Sequence, residues 1–316
     1  MRAAVRDRYG TAERVELRRL PVPIPGPGQV RLRVHASSLN AADAFFLAGR
    51  PYPLRLMIGL ARPKQPVLGI DVAGVVDAVG PGVTRFAVGD RVFGEARGAY
   101  AEAVVAPEGQ LAHAPRSLSL EQAATLPIAG LTAFQALTTT APVQPGQRVL
   151  INGAAGGVGS FAVLVAKALG AEVTAVSSGA SAAFVRGLGA DHVVDYTRED
   201  FSQTTRRYDV LLDLVGSASL TRCLRLLTPT GVYVCSVGRL GWLLRAALVS
   251  LVSRGRVKVL SSVARAESLA RLAAWVDAMG LAPPIERRWA LESAREALAA
   301  QCAGRTRGKA VVVIGG

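Results

Sequence analysis

The residues best suited to chemistry lie in "RVLINGAAGGVGS", where Gly153, Gly156, Gly157 and Gly159 stand between an apolar run and what reads as the start of a helix. The N-terminus of a helix presents unpaired N–H groups and the positive end of the backbone dipole, which together favour an anion. Glycines let the chain turn tightly and approach a pyrophosphate more closely than a Cβ would allow. The strand-like "RVLI" before the turn and the apolar-faced "VGSFAVLVAKALG" after it supply the context a dinucleotide site requires, with Gly170 closing the helix. The plainer alternative is a tight turn that holds nothing.

The end of the next apolar run bears on which dinucleotide would bind. An NAD-specific site usually places Asp or Glu there to accept the ribose 2'-hydroxyl, and such a carboxylate would repel a 2'-phosphate. This chain has Ser177 and Ser178 at that point, which admits NADPH, with NADH as the alternative. Ser178 and Ser181 can hydrogen-bond a phosphate, and Tyr196 could flank the adenine. Arg186 is the nearest cation in sequence, and reads slightly better as a solvated helix residue than as a phosphate ligand.

Strands and helices must hold these groups in place. From Arg148 onward, apolar runs at Arg148 to Asn152, Glu172 to Ser177, His192 to Tyr196, Tyr208 to Val215, Gly231 to Val237 and Val257 to Ser261 alternate mostly with helix-length segments. That rhythm predicts a doubly wound parallel sheet binding its ligand at the carboxyl ends of the strands. The earlier part reads as short strands and turns. "VRLRVHASSL" alternates as a half-buried strand would, and "GIDVAGVVDAVGPGVTRFAVGDRVFG" gives three strand-like runs, as in a compact antiparallel barrel. "SLEQAATLPIAGLTAFQALTTT" has helical spacing, with Ser119 and Gln122 placed as a capping box. The tail from Ile285 reads strand, helix, strand, and is expected to fold back on the N-terminal barrel.

Composition narrows the function classes. Of 316 residues 50% are hydrophobic, so two globular domains are expected. The N-terminus carries charges where a secretory signal would be apolar, and the longest apolar stretch, Gly241 to Val252, contains Arg245 and is too short for a span. The expectation is a soluble cytoplasmic protein with no membrane span. Cys223, Cys235 and Cys302 are scattered and form no CxxC pair, so neither a disulfide framework nor a cysteine zinc site is suggested. The net charge of +14 comes from 33 Arg and only 4 Lys spread along the chain, with no nucleic-acid module and few aromatics, so no dedicated nucleic-acid binding is expected.

Taken in order, "SSLNAAD", "PVLGIDVAGVVDAVG", "FAVGDRVFG", "GAYAE", "LPIAGLTAFQAL", "NGAAGGVG", "LGADHVVDY", "DLVG" and "RGKAVVVIG" resemble the zinc-free quinone and enone reductase branch of the medium-chain dehydrogenase/reductase superfamily. The resemblance implies an α/β fold, a Rossmann doubly wound parallel sheet plus a GroES-like β-barrel catalytic domain, with the active site in the cleft. The expected divisions are residues 1–122 for the first part of the catalytic domain, 123–262 for the NAD(P)-binding domain and 263–316 for the return to the catalytic domain. A homodimer is implied by the family alone.

The same comparison turns away from zinc. Where zinc alcohol dehydrogenases carry a cysteine ligand, this chain has Asn40 ahead of Asp43. Where they carry Gly-His-Glu it has Gly69-Ile70-Asp71, at the third ligand position Ile128, and no four-cysteine lobe. Zinc needs several N, S or O donors converging on it. Without a metal, the implied chemistry is hydride addition from NADPH to an already polarised quinone or α,β-unsaturated carbonyl. The resemblance carries Gly156, Gly157, Val158 and Gly159 to the pyrophosphate, Thr132 to the nicotinamide end, Val215 to the cofactor, Asn40 and Asp43 to the active site and Tyr52 to a hydrogen bond on the substrate oxygen. Phe45 and Ser181 depart from it: tyrosine is frequent at the first position in quinone reductases and a phosphate-binding lysine at the second. The rival readings are an NAD(P)-dependent alcohol or aldehyde oxidoreductase of the same fold, and a dinucleotide-binding protein without turnover.

Overall fold

A computed structural model describes residues 1–236, 256–260, 262–304 and 306–315. The apolar stretch Gly241 to Val252 lies outside them, as do Val237 and Ser261 at the ends of two expected strands. The chain forms two compact units, Met1–Leu131 with Ala264–Gly316, and Thr132–Val263.

In the first unit, β1 (Arg2–Val5) and β2 (Glu16–Arg19) make an antiparallel pair. β3 (Gln29–Ser38), β4 (Asp71–Val79), β5 (Arg91–Glu95), β6 (Ala103–Pro107) and β7 (Leu111–His113) enter a larger sheet. The alternation of "VRLRV" fixes which face of β3 is buried: Val30, Leu32 and Val34 pack with Val72, Val76, Val92 and Leu111. The run "VTRFAV" forms no strand. Its N–H groups are taken by side chains instead, Thr84 and Arg85 donating to Glu108 and Ala87 to Asp90, so it needs no ladder partner. Between β3 and β4 lie α1 (Ala41–Ala48) and the short α2 (Arg55–Ile58).

Ser119 and Gln122 form the expected capping box, opening α3 (Leu120–Ala123). The helical spacing expected from there to Thr140 is realised as alternating α- and π-helical turns. A π-helical turn, Leu126–Gly130, intervenes before α4 (Leu131–Gln135); Pro127 has no N–H to give and interrupts the regular ladder.

The second unit is the alternating one. β8 (Arg148–Asn152), α5 (Gly157–Ala168), β9 (Glu172–Ser177), α6 (Ala182–Gly187), β10 (His192–Asp195), β11 (Tyr208–Asp213), α7 (Leu220–Arg225), β12 (Leu227–Cys235) and β13 (Val257–Val259) build a six-stranded sheet in the order β10-β9-β8-β11-β12-β13. All its pairings are parallel. The order reverses at β8, whose carboxyl end carries the glycine turn; such a switch point is where open α/β sheets bind ligands.

The chain then returns to the first unit through α8 (Ala266–Met279), β14 (Ile285–Ala290), α9 (Ala294–Cys302) and β15 (Lys309–Val313). β15 pairs antiparallel with β3, so the tail completes the N-terminal sheet. Helix α8 precedes the expected tail and is the piece its sequence pattern did not single out.

Candidate active site and cofactor cradle

In the second unit Gly153 turns with φ 90°, a left-handed conformation that side chains other than glycine rarely adopt. A Cβ at Gly159 would sit 2.1 Å from the Gly153 carbonyl oxygen, so the first turn of α5 packs on the turn only without side chains. Gly156 is the N-cap, its N–H donating to Gly153 O (3.0 Å) and its carbonyl accepting from Ser160 N (2.8 Å). Gly157 and Val158 follow in the first turn, partly exposed. This is a concave run of backbone at the start of a twelve-residue helix, suited to a pyrophosphate.

Val215 comes to the same place: its Cγ2 lies 2.7 Å from where a Gly153 Cβ would project. The buried Asp213 ties the strand ends together. Its carboxylate accepts from Asn152 Nδ2 (2.8 Å), Val215 N (3.1 Å), Gly216 N (2.8 Å) and Tyr233 OH (2.7 Å).

At the end of β9, Ser177 is buried and its hydroxyl donates to Ser178 O, while the Ser178 and Ser181 hydroxyls lie 3.3 Å apart. Tyr196 N donates to Ser177 O (3.1 Å), which places this exposed tyrosine beside the serines. Arg186 occupies the last turn of α6, exposed and with no ion pair among the described residues. A carboxylate lies close to the serines, because Asp195 is the register partner of Ser177 and its Oδ2 sits 2.4 Å from a Gly179 Cβ position. Bonds from Thr197 and the Gly179 N–H hold its carboxyl below the usual carboxylate range, with Arg198 adding to the effect.

The first unit holds a buried polar cluster. Asn40 and Asp43 form a capping box on α1. Asn40 Nδ2 donates to Asp71 Oδ2 (2.8 Å) and its Oδ1 accepts from Lys309 Nζ (2.7 Å), so both ends of the amide are engaged inside the protein. Asp43 Oδ2 accepts from Asn40 N (2.7 Å) and Tyr100 OH (3.1 Å). Asp71 also accepts from Ser38 Oγ (2.6 Å) and Ile128 N (3.2 Å), with Lys309 Nζ 3.7 Å away. Burial pushes the Asp43 carboxyl up to about 7, the Asp71 charge adding to it and the Asn40 N–H and Tyr100 hydroxyl opposing. Burial likewise raises Asp71 and lowers Lys309, each opposed by the other's charge.

Asn40 and Asp43, expected in the active site, are buried at 6% and 1% exposure, with their side chains hydrogen-bonded inside the protein. Tyr52 is different. It is 61% exposed on a turn after Pro51, with the Arg50 and Arg55 guanidinium groups over its ring (5.5 and 5.1 Å), and Phe45 is also exposed. It shares no hydrogen bond with Asn40 or Asp43. Thr132 is buried near the start of α4.

Lys309 and Tyr100 carry no role in the motifs named above. The signal was present, since one of only four lysines stands inside the apolar run "GKAVVVIG", and a charge buried in a strand demands a partner.

The zinc-ligand positions offer an engaged amide, a carboxylate already facing an ammonium, and Ile128, which has no side-chain donor. Among the described residues no group of three or more His, Cys, Asp or Glu could hold a metal. The set does not fit a tetrahedral zinc site.

Residues 26–116 match the alcohol dehydrogenase GroES-like domain and residues 188–312 the zinc-binding dehydrogenase family. A quinone oxidoreductase of Pseudomonas aeruginosa is 34% identical over 96% of this chain and 97% of its own. A 2-haloacrylate reductase of a Burkholderia species is 38% identical over 73% of this chain and 71% of its own. The pikromycin polyketide synthase component of Streptomyces venezuelae also matches, but the chain spans 6% of its length. Among solved structures, the quinone oxidoreductase from Coxiella burnetii superposes with a TM-score of 0.86 at 32% identity, covering 100% of this chain and 99% of that one. The chain belongs to the medium-chain dehydrogenase/reductase superfamily, in its quinone oxidoreductase branch. It is an NAD(P)H-dependent oxidoreductase.

Proposed function

We propose that the protein is a zinc-independent, NADPH-preferring reductase that delivers hydride to a quinone or an α,β-unsaturated carbonyl. The observation that carries this reading is the Asn40–Lys309–Asp71 cluster, which uses internally the groups that would otherwise serve a metal. An alcohol oxidation needs a base or a Lewis acid to manage the hydroxyl proton, and Asp43, which with Glu95 is one of two carboxyls that burial raises to about 7, is buried beneath Tyr100. Reduction of a conjugated acceptor asks less: orientation, exclusion of water and a donor for the oxygen that gathers charge.

The nicotinamide, when bound, supplies the hydride. Gly156, Gly157, Val158 and Gly159 would seat the pyrophosphate, and Val215 and Thr132 would line the path toward the nicotinamide. Ser177, Ser178, Ser181 and Tyr196 would surround the adenosine ribose, their hydroxyls suiting a 2'-phosphate. Tyr52, exposed and flanked by two guanidinium groups, would donate a hydrogen bond to the acceptor oxygen. The reductase names among the relatives support the reaction class, and a homodimer is the assembly the family resemblance implies.

Stopped-flow absorbance with NADPH and NADH against a benzoquinone, a naphthoquinone, an enone and an aldehyde tests the reading. NADPH oxidation by the quinones or the enone, unaffected by chelators, is the expected result. Zinc-dependent turnover of the aldehyde would sink it, and tight cofactor binding without turnover of any acceptor would favour a binding protein.

A further inference from the structure

Between Asp43 and Asp71 the chain carries no acidic residue, but it carries Arg50, Arg55, Arg62 and Lys64. Within the same segment Leu56, Met57 and Leu60 are 71%, 68% and 68% exposed, while Ile58 between them is buried. These are not the side chains of a loose loop. Gly59 N donates to Arg55 O (2.9 Å), Lys64 N to Ile58 O (2.7 Å) and Tyr9 OH to Gly59 O (2.6 Å). Arg55 donates to Gly49 O (3.0 Å) and stacks over Tyr9 at 4.4 Å. Gly59 has φ 120°, and a Cβ there would meet Arg62 O at 2.0 Å, so the turn is built for glycine. The fold fixes the backbone and still directs three large aliphatic side chains into water, which is the mark of a surface that meets something apolar.

We infer that Leu56, Met57 and Leu60, with the exposed Arg62 and Lys64, form a platform that docks the protein on an anionic lipid bilayer. Aliphatic side chains entering the headgroup boundary beside Arg and Lys are what such surfaces bind. Arg50, Arg62 and Lys64 are exposed. The acid that senses Arg62 is Asp7 of the neighbouring segment, which is already paired with Arg18 at 2.7 Å. A second copy of this chain suits the platform poorly, because a two-fold contact would set the same cations against each other. On a bilayer, a lipid-dissolved quinone lies within reach of the enzyme; that use rests on the reductase reading, whereas the docking does not.

Co-sedimentation of the full chain with phosphatidylcholine vesicles, with and without phosphatidylglycerol, tests the inference. Binding is expected to the anionic vesicles, weaker by about tenfold or more without phosphatidylglycerol or at high salt. The variant M57D/L60D should lose that binding by about tenfold or more while its melting temperature and NADPH affinity stay unchanged, and R62Q/K64Q should lose the advantage of anionic over neutral vesicles. Failure of the wild type to sediment, or equal sedimentation of M57D/L60D, overturns the inference. So does a self-association that M57D/L60D abolishes without any vesicle binding, which would make the platform a contact between copies. A raised KM for a water-soluble quinone in M57D/L60D with unchanged vesicle binding also overturns it, and makes these residues a wall of the acceptor site.

Discussion

Lys309 Nζ lies 2.7 Å from Asn40 Oδ1, joining the last strand of the chain to the cap of its first helix across most of the sequence. The ammonium also faces Asp71 at 3.7 Å, and both side chains are almost wholly buried. Removing one member of such a pair leaves an uncompensated charge in the interior. Lys309→Met is expected to lower unfolding stability by about 3–5 kcal/mol, with K309M/D71N recovering a large part of it. Urea unfolding of the wild type and of the single and double variants checks this; equal losses in K309M and K309M/D71N would mean that Lys309 acts by packing and not by charge.

Asp43 sets a pH dependence. Its carboxyl is pushed up to about 7 by burial, against 3.8 for the ordinary side chain, so the native state holds the proton more tightly than the unfolded chain does. Its contribution to stability is therefore complete below about 3.8 and is lost as pH rises from there through about 7. Asp43→Asn keeps an oxygen for the Asn40 N–H and the Tyr100 hydroxyl but does not titrate. Unfolding free energies measured from pH 4 to pH 8 should fall more steeply in the wild type than in D43N. Some slope should survive, because burial raises Asp71 and Glu95 as well; identical slopes would refute the assignment to Asp43.

The parallel sheet was largely legible because its strands read as short apolar runs, some ending in glycine or serine, as β8 does at Gly153 and β9 at Ser178. β8 and β9 coincide with the expected runs at both ends. The glycine turn was legible for the same reason, its steric demand being written in residue type. Local pattern failed where side chains replaced ladder bonds, as at residues 83–88. It also could not decide Asn40. A polar residue at a motif position looks the same whether its amide is free or consumed by Lys309, which lies far away in sequence and arrives through β15.

The closeness of Gly159 to Gly153 predicts a sharp effect. Gly159→Ala would put a Cβ 2.1 Å from a backbone oxygen that no rotamer can move, so the turn must shift. Dinucleotide affinity should fall by about tenfold or more, and stability by about 1–3 kcal/mol as for other overpacked sites. Quenching of protein fluorescence by NADPH, alongside thermal unfolding, measures both. Unchanged affinity would show that the cofactor does not depend on this turn.

Tyr52 is the exposed hydroxyl suited to an acceptor oxygen. Tyr52→Phe keeps the ring beneath Arg50 and Arg55 and removes the donor. A hydrogen bond that strengthens as charge develops contributes to kcat more than to KM, so kcat should drop by about tenfold with NADPH affinity intact. A rise in KM alone, or no change, would assign Tyr52 to packing.

Cofactor choice rests on charges around Ser177. No acid stands at the end of β9, yet Asp195 lies against Gly179 and Arg198 follows three residues on, its backbone N–H bonded to Asp195 O (3.0 Å). Arg198, whose charge acts on Asp195, stands beside Arg186 as a candidate cation for a 2'-phosphate. Arg198→Ala should weaken NADPH binding by about five- to tenfold and leave NADH unaffected, while Arg186→Ala changes neither. Ser181→Lys, which adds an ammonium beside Ser178, should strengthen NADPH by a similar factor. Titrations of both nucleotides with each variant decide the matter: parallel changes for NADPH and NADH in R198A would mean that this end of the sheet does not read the 2'-phosphate, and an effect of R186A alone would return the role to the helix.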